Sequence, residues 1–160
     1  MKSIRQAQAV VFHKGKVVLL RKRDSHFDFK KKKWVWSKKA FWRLPKGKLE
    51  KNESAMQGLK RELLEEIGVS KLSKPKKVYS YSYQAPKGTL RKVQTFALEA
   101  KEKPRLTPMA KAEGITRVAL STVKGAAKKL EWENERKALA PFLRQDTDAL
   151  AGFNPKLRKK

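Results

Sequence analysis

The sequence contains no cysteine. A disulfide framework is therefore excluded, and nothing points to an oxidising compartment. Long hydrophobic runs are also missing. The opening, MKSIRQAQAVVFHKGKVVLL, is basic and then apolar, but His13, Lys14, Gly15 and Lys16 break it well short of a signal peptide or a membrane span. A soluble, cytoplasmic protein with no membrane span is the expectation. Acidic residues are the third shortage: 15 Asp plus Glu stand against 41 Lys plus Arg, a formal net charge of +26. Small soluble domains usually carry a magnitude of roughly 2 to 8. Such an excess points to a polyanionic partner, and the phosphates of a nucleotide polyphosphate, an RNA or a lipid surface would all be drawn by it. Charge alone does not choose among them, and a solubility effect is the plain alternative.

What is present fits a single domain over residues 1–145, followed by a basic C-terminal tail at 146–160. The 160 residues are enough to bury a sizeable core without metal or disulfide staples. Gln6 to His13 and Lys16 to Arg23 read as strands joined by a Lys14-Gly15 turn. Residues 24–40 form a basic aromatic insertion, followed by a short strand from Phe41 to Leu44 that Pro45 stops. From Ser54 to Ile67, Met56, Leu59, Leu63 and Ile67 recur at helical spacing, and Gly68 supplies the stop. Val78 to Gln84 and Leu90 to Ala100 read as a hairpin around Pro86-Lys87-Gly88-Thr89, and Gly114 to Leu120 as a further strand. Two helices close the pattern. Ser121 or Thr122 caps the first, and the second runs from Glu131 to Arg144 with Trp132, Leu139 and Leu143 as its buried stripe. This order predicts an α/β fold, an α/β/α sandwich around a mixed β-sheet.

Five of the 15 acidic residues, Glu50, Glu53, Glu62, Glu65 and Glu66, fall within GKLEKNESAMQGLKRELLEEIGV. At about 100° per residue, Glu62, Glu65 and Glu66 share one arc of the helix beside its apolar stripe. Ala55 and Gly58 project to the same side, which would leave backbone open to an ion or a phosphate there. Crowded carboxylates raise one another's pKa unless a cation sits among them. A hard divalent ion such as Mg²⁺ accepts such oxygens and shares its coordination with substrate phosphates. A solvated acidic face, balanced by pairs such as Arg61 with Glu65, is the bland alternative.

The spacing favours the ion. Gly47, five residues, Glu53, seven residues, Arg61-Glu62-Leu63, one residue, Glu65-Glu66, one residue, Gly68-Val69 resembles the Nudix box at every fixed position. With each residue type near 7% abundance, a chance match has a probability on the order of 10⁻⁹ per starting position. The resemblance implies a Nudix-type α/β/α sandwich and a pyrophosphohydrolase that cleaves a diphosphate linkage with Mg²⁺ or Mn²⁺. It implies Glu62, Glu65 and Glu66 as metal ligands and catalytic residues, with Glu66 and Glu62 ranked ahead of Glu113 as the base. Glu113 resembles a glutamate that some members bring from a later loop, and an ordinary exposed loop acid is equally open. Glu53 resembles the structural acid that pairs with the arginine matched by Arg61, and Gly47 and Gly68 match the turn glycines. Asn52 stands where a glycine is frequent, and Asn tolerates left-handed backbone.

WRLPKGKLE and YSYQAPKGTLRKVQTFAL look most like the branch acting on diadenosine tetraphosphate and other dinucleoside polyphosphates. On that resemblance Lys46, Lys48 and Lys92 are candidates for phosphate, Tyr81 or Tyr83 for the base, and Trp42 for the pocket edge. An RNA 5′-pyrophosphohydrolase, or an RNA-binding protein built on this fold, is the alternative. In the insertion, Phe27 and Phe29 are placed to pair across a lysine-rich turn with Trp34 and Trp36. Their rings either pack on the domain or line a nucleotide or RNA path.

Overall fold

A computed structural model describes residues 2–85 and 88–143. The tail at 146–160, Arg144, and the Pro86-Lys87 half of the second turn lie outside them. The chain runs β1 (Ser3–His13), β2 (Lys16–Asp28), β3 (Lys33–Arg43), β4 (Lys46–Lys48), α1 (Ala55–Ile67), β5 (Lys76–Gln84), β6 (Leu90–Glu99), α2 (Pro108–Ala112), β7 (Ile115–Ser121), α3 (Val123–Lys129) and α4 (Glu133–Leu143).

The strands form one seven-stranded sheet with the central order β3-β2-β1-β6-β5, while β4 pairs with β1 and β7 with β2. β1 and β6 are parallel and the other pairs antiparallel, so the sheet is mixed as the sequence predicts. β1 is the reason for two helical layers. Its Ala7, Ala9 and Val11 pack with Leu59, Leu63 and Ile67 of α1. The alternate residues Val10 and Phe12 pack with Ala138, Leu139 and Phe142 of α4. A strand covered on both faces needs apolar residues at successive positions, hence the AVVF run.

α1 is well specified locally. Ser54 accepts from the Gln57 backbone while Gln57 returns a bond to the Ser54 N–H, and Gly68 ends the helix in the left-handed region at φ 68°. Asn52 also lies there, at φ 67°, as its side-chain type permits. The short β4 and α2 were not expected. Three residues carry no readable period, but Thr107 followed by Pro108 is an N-cap and first-turn signal that marks α2.

Three expectations need correction. β2 and β3 run far past Arg23 and begin well before Phe41, so residues 24–40 are the outer half of one long hairpin, in which Phe27 faces Trp34. In the last helix Leu139 is buried, but Trp132 and Leu143 are 37% and 40% exposed; Glu135, Ala138 and Phe142 hold the inward face instead. Gly58 does not open backbone to a ligand. It is buried, and a Cβ there would lie 2.2 Å from Leu49 Cδ2 and 2.8 Å from Glu53 Oε1. The missing side chain makes room for the loop before α1.

Helix propensity alone would have Gly58→Ala stabilise the protein by about 1 kcal/mol. Because Glu53 is fixed by its own bonds and cannot give way, overpacking should win, and urea unfolding of the variant should show a net loss of about 1 kcal/mol.

Candidate active site

Arg61 organises the site. Its Nε and Nη2 donate to the two carboxylate oxygens of Glu53 at 2.8 and 2.9 Å, and Nη2 also reaches the Lys48 carbonyl at 3.0 Å. The Glu50 N–H donates to Glu53 as well, at 2.9 Å. These bonds, the Arg61 pair first, hold the Glu53 carboxyl down to about 2. The loop between β4 and α1 is thereby tied to the helix nearly two turns in from its start. Arg61 Nη1 donates to Glu62 at 2.9 Å and to Glu65 at 3.3 Å.

Glu62 then lies against Gly47. A Cβ on Gly47 would sit 2.0 Å from the Glu62 carboxyl carbon, so glycine is required here for space. Gly47 is absent from the positive-φ residues, which corrects the reading of it as a turn glycine. One turn along α1, Glu66 is 3% exposed, and its Oε2 has no hydrogen-bond partner. Glu113, which ends α2, completes the group: one carboxylate oxygen from each of Glu62, Glu66 and Glu113 lies within 4.8 Å of the others. Burial pushes the pKa of both Glu62 and Glu66 up, and the neighbouring Glu62 charge adds to the rise at Glu66. Three hard oxygen donors, one of them buried without a partner, fit a divalent cation.

The carboxylates line a cleft of about 650 Å³ whose walls include Lys22, Arg23, Trp36, Arg43, Lys46 and Lys48. A second cleft of about 600 Å³ is lined by Tyr81, Tyr83, Trp132, Asn134 and Glu135, and it shares Asp24, Arg43 and Lys46 with the first. At this junction Lys46 Nζ donates to Tyr83 Oη at 3.3 Å and lies over the Tyr83 ring. Burial, then the nearby Arg43 charge, lowers its pKa to about 8. Arg43 is held by Glu135, which is 1% exposed, through a 2.8 Å bond, and its guanidinium stacks on Trp132 at 4.1 Å. Glu135 accepts from the Leu44 N–H at 2.8 Å and from Gln8 Nε2 at 3.2 Å, and the Tyr81 hydroxyl donates to Gln8 at 3.0 Å. The second cleft thus has a rigid, hydrogen-bonded floor and aromatic walls.

A family model described as NUDIX domain matches residues 3–142. The chain belongs to the NUDIX family. With that membership goes the enzyme class, pyrophosphohydrolase. Among solved structures, the fold is similar to the E. coli ORF135 protein (20% identity, TM-score 0.68, covering 90% of this chain and 91% of that one). It is also similar to a C. elegans Ap4A hydrolase (19%, TM-score 0.66, covering 94% and 99%). A third is the E. coli dihydroneopterin triphosphate pyrophosphohydrolase (18%, TM-score 0.64, covering 88% and 95%). At these identities the likeness is one of fold. Among curated proteins, none matches the sequence.

Of the Nudix residues singled out in the sequence, the structure brings Glu62, Glu66 and Glu113 together and not Glu65. Arg61 Nη1 bridges the Glu65 and Glu62 carboxylates, so Glu65 stands next to the group on the same helix. Lys46, Lys48, Tyr81 and Tyr83 line the clefts. Trp42 does not. Strand alternation sends it to the face opposite Arg43, where it packs with the α4-side core under Arg21, Arg117 and Lys129. Lys92 is misplaced for the same reason: it stands opposite Ser82, whereas Arg91 stands opposite Tyr83 and shares the face of the cleft. Arg43, Trp132 and Glu135 were missed as site residues. Arg43 adjoins the WRLP motif, but no local signal links it to a glutamate 92 residues away.

Gly47→Ala should displace the Glu62 carboxylate and weaken Mn²⁺ binding about 10- to 100-fold. Calorimetric titration checks this; an unchanged affinity would remove Glu62 from the ion site.

Proposed function

We propose that this Nudix pyrophosphohydrolase cleaves a diphosphate bond in a dinucleoside polyphosphate, using Mg²⁺ or Mn²⁺ held by Glu62, Glu66 and Glu113. The observation that carries the reading is the junction of the two clefts at Arg43 and Lys46. A nucleoside has flat surfaces to stack on in Tyr81, Tyr83 and Trp132. Its phosphates then pass over two cations toward the carboxylates. Beyond these, Trp36 offers an aromatic surface on the far wall for a second base. A linear chain of phosphates with a base at each end matches this order of aromatics, cations and carboxylates.

A divalent ion in the carboxylate group would neutralise phosphate oxygens and lower the pKa of a bound water. The chain's own residues divide the remaining work. Arg43 and Lys46, both held by other side chains, orient the phosphates. Glu66 is assigned as proton acceptor: its buried Oε2 has no hydrogen-bond partner, which leaves a carboxylate oxygen for the proton. Glu53 and Arg61 touch no substrate in this scheme and keep Glu62 in position.

With Mg²⁺ present, diadenosine tetraphosphate should be hydrolysed with a higher kcat/KM than nucleoside triphosphates or 5′-triphosphorylated RNA. Glu66→Gln should lower kcat by about 10² or more while the fold persists. A higher kcat/KM on the triphosphates would overturn the dinucleoside assignment, and activity unchanged in Glu66→Gln would remove Glu66 as the base.

Lys46 supplies a pH signature. Its pKa lies near 8, so it carries its charge below that pH and loses it above. KM for the polyphosphate should therefore rise as pH increases through 8. Lys46→Arg, which stays charged, should abolish that rise, as initial rates across the range will show.

A further inference from the structure

The β2–β3 hairpin extends beyond the cleft and is the most unusual surface on the molecule. Of the large apolar side chains exposed among the described residues, Phe27, Phe29, Trp34 and Trp36 all belong to it, with Phe29 83% and Trp34 67% exposed. They form a row. Phe27 stands opposite Trp34 and Ser25 opposite Trp36, so Phe27, Trp34 and Trp36 project from one face. The Phe27 ring meets Phe29 edge-on at 5.1 Å and Trp34 at 5.9 Å. At the inner end Trp36 lies against Gly114, where a Cβ would be 2.6 Å from the ring, next to the ion-site residue Glu113. The row therefore runs from the hairpin tip to the edge of the active site.

Lysines flank it. Lys30 to Lys32 occupy the turn, Lys33 opens β3, and Lys38 and Lys39 follow along that strand. Asp28 offers little compensation, because one of its oxygens already accepts from the Lys30 and Lys31 backbone at 2.9 and 3.2 Å, which shapes the turn. Lys32 completes that turn in the left-handed region at φ 52°. The bulge between Arg23 and Ser25 bends the hairpin where it meets the cleft. The cations and rings are thus displayed on a shaped strand pair that points back to the catalytic centre.

We propose that this hairpin binds single-stranded RNA, the bases stacking on Phe27, Phe29 and Trp34 and the phosphates running along Lys30 to Lys33. The two halves of the surface answer the two halves of that ligand. Rings on one strand face suit unpaired bases whatever their sequence, and flanking lysines suit a phosphate backbone. Duplexes hide their bases, and a membrane-binding hairpin would not need its rings in a single row. RNA is the nucleic acid whose ordinary state leaves bases unpaired. The inference is independent of the small substrate proposed above, since residues 27–35 line neither cleft.

The test uses the full-length protein and a 5′-hydroxyl RNA of roughly 12 nucleotides, unstructured and lacking any diphosphate bond, with binding read by fluorescence anisotropy. Binding should weaken steeply with salt. The double variant Phe27→Ala, Trp34→Ala should weaken it at least tenfold while leaving heparin binding and kcat/KM for diadenosine tetraphosphate unchanged. Replacing Lys30 to Lys33 by serine should instead flatten the salt dependence. Unchanged RNA affinity in the aromatic variant, or equal losses of RNA and heparin binding, would overturn the stacking surface. Equal affinity for duplex RNA or for single-stranded DNA, or tighter binding to anionic lipid vesicles than to RNA, would overturn the assignment to single-stranded RNA. Thermal unfolding of the variants gives the control for folding, and RNA-induced quenching of tryptophan fluorescence, expected to be strong in the unmutated protein and reduced in Trp34→Ala, gives a second readout.

Discussion

The site depends on one guanidinium. Arg61 binds both oxygens of Glu53, the Lys48 carbonyl, Glu62 and Glu65, so one side chain connects β4, the following loop and α1. Part of its fork is shielded by the loop it holds, which makes the paired geometry worth more than an exposed ion pair of the same length. That clamp helps to hold Glu53 down on Gly58 and the Glu62 carboxylate against Gly47, alongside the bonds from Arg5 and from the Glu50 N–H to Glu53. The two glycines and the arginine act as a unit: the glycines provide space and Arg61 fills it with fixed carboxylates.

The buried carboxylate of Glu135 does for the second cleft what Glu53 does for the carboxylate group. Glu135 joins α4 to the end of β3 through Arg43 and the Leu44 N–H, and to β1 through Gln8. A fully buried acid is costly unless every lone pair is used, and this one accepts three bonds. The return is positional. Arg43 is held flat against Trp132 at the junction of the two clefts. Its position is set by Glu135, which β1 holds in turn through Gln8.

The charge of +26 takes on a more specific meaning against this geometry. Arg43 and Lys46 lie inside the clefts and have partners, whereas Lys30 to Lys33 stand on the hairpin beside exposed rings. Under the function proposed for the clefts, the first kind would act over hydrogen-bond distances on a phosphate. Under the proposal for the hairpin, the second would act through its field and by displacing counterions along a longer polyanion.

Much of this was legible in the residues. α1, its caps and its acidic arc could be read because helical periodicity and capping are local, and the box spacing identified Glu53, Arg61, Glu62, Glu65 and Glu66 as one motif. The apolar core of β1 and the mixed sheet followed from strand pattern and element order. Errors came where a side chain's face or partner depended on distant chain. Trp42 and Arg43, or Arg91 and Lys92, are neighbours in sequence, and a one-residue change of register exchanges which member faces the substrate. Trp132 was read as core because an amphipathic period cannot tell a buried stripe from the wall of a cleft. By itself the sequence determined the fold family and the carboxylates of α1, since these rest on contacts a few residues apart. The tertiary structure alone decided that Glu113 comes within reach of Glu62 and Glu66, that Glu135 fixes Arg43, and that the hairpin's rings lead to the carboxylate cleft. Those pairings cross large sequence separations, and only the closing of the sheet brings their partners within reach.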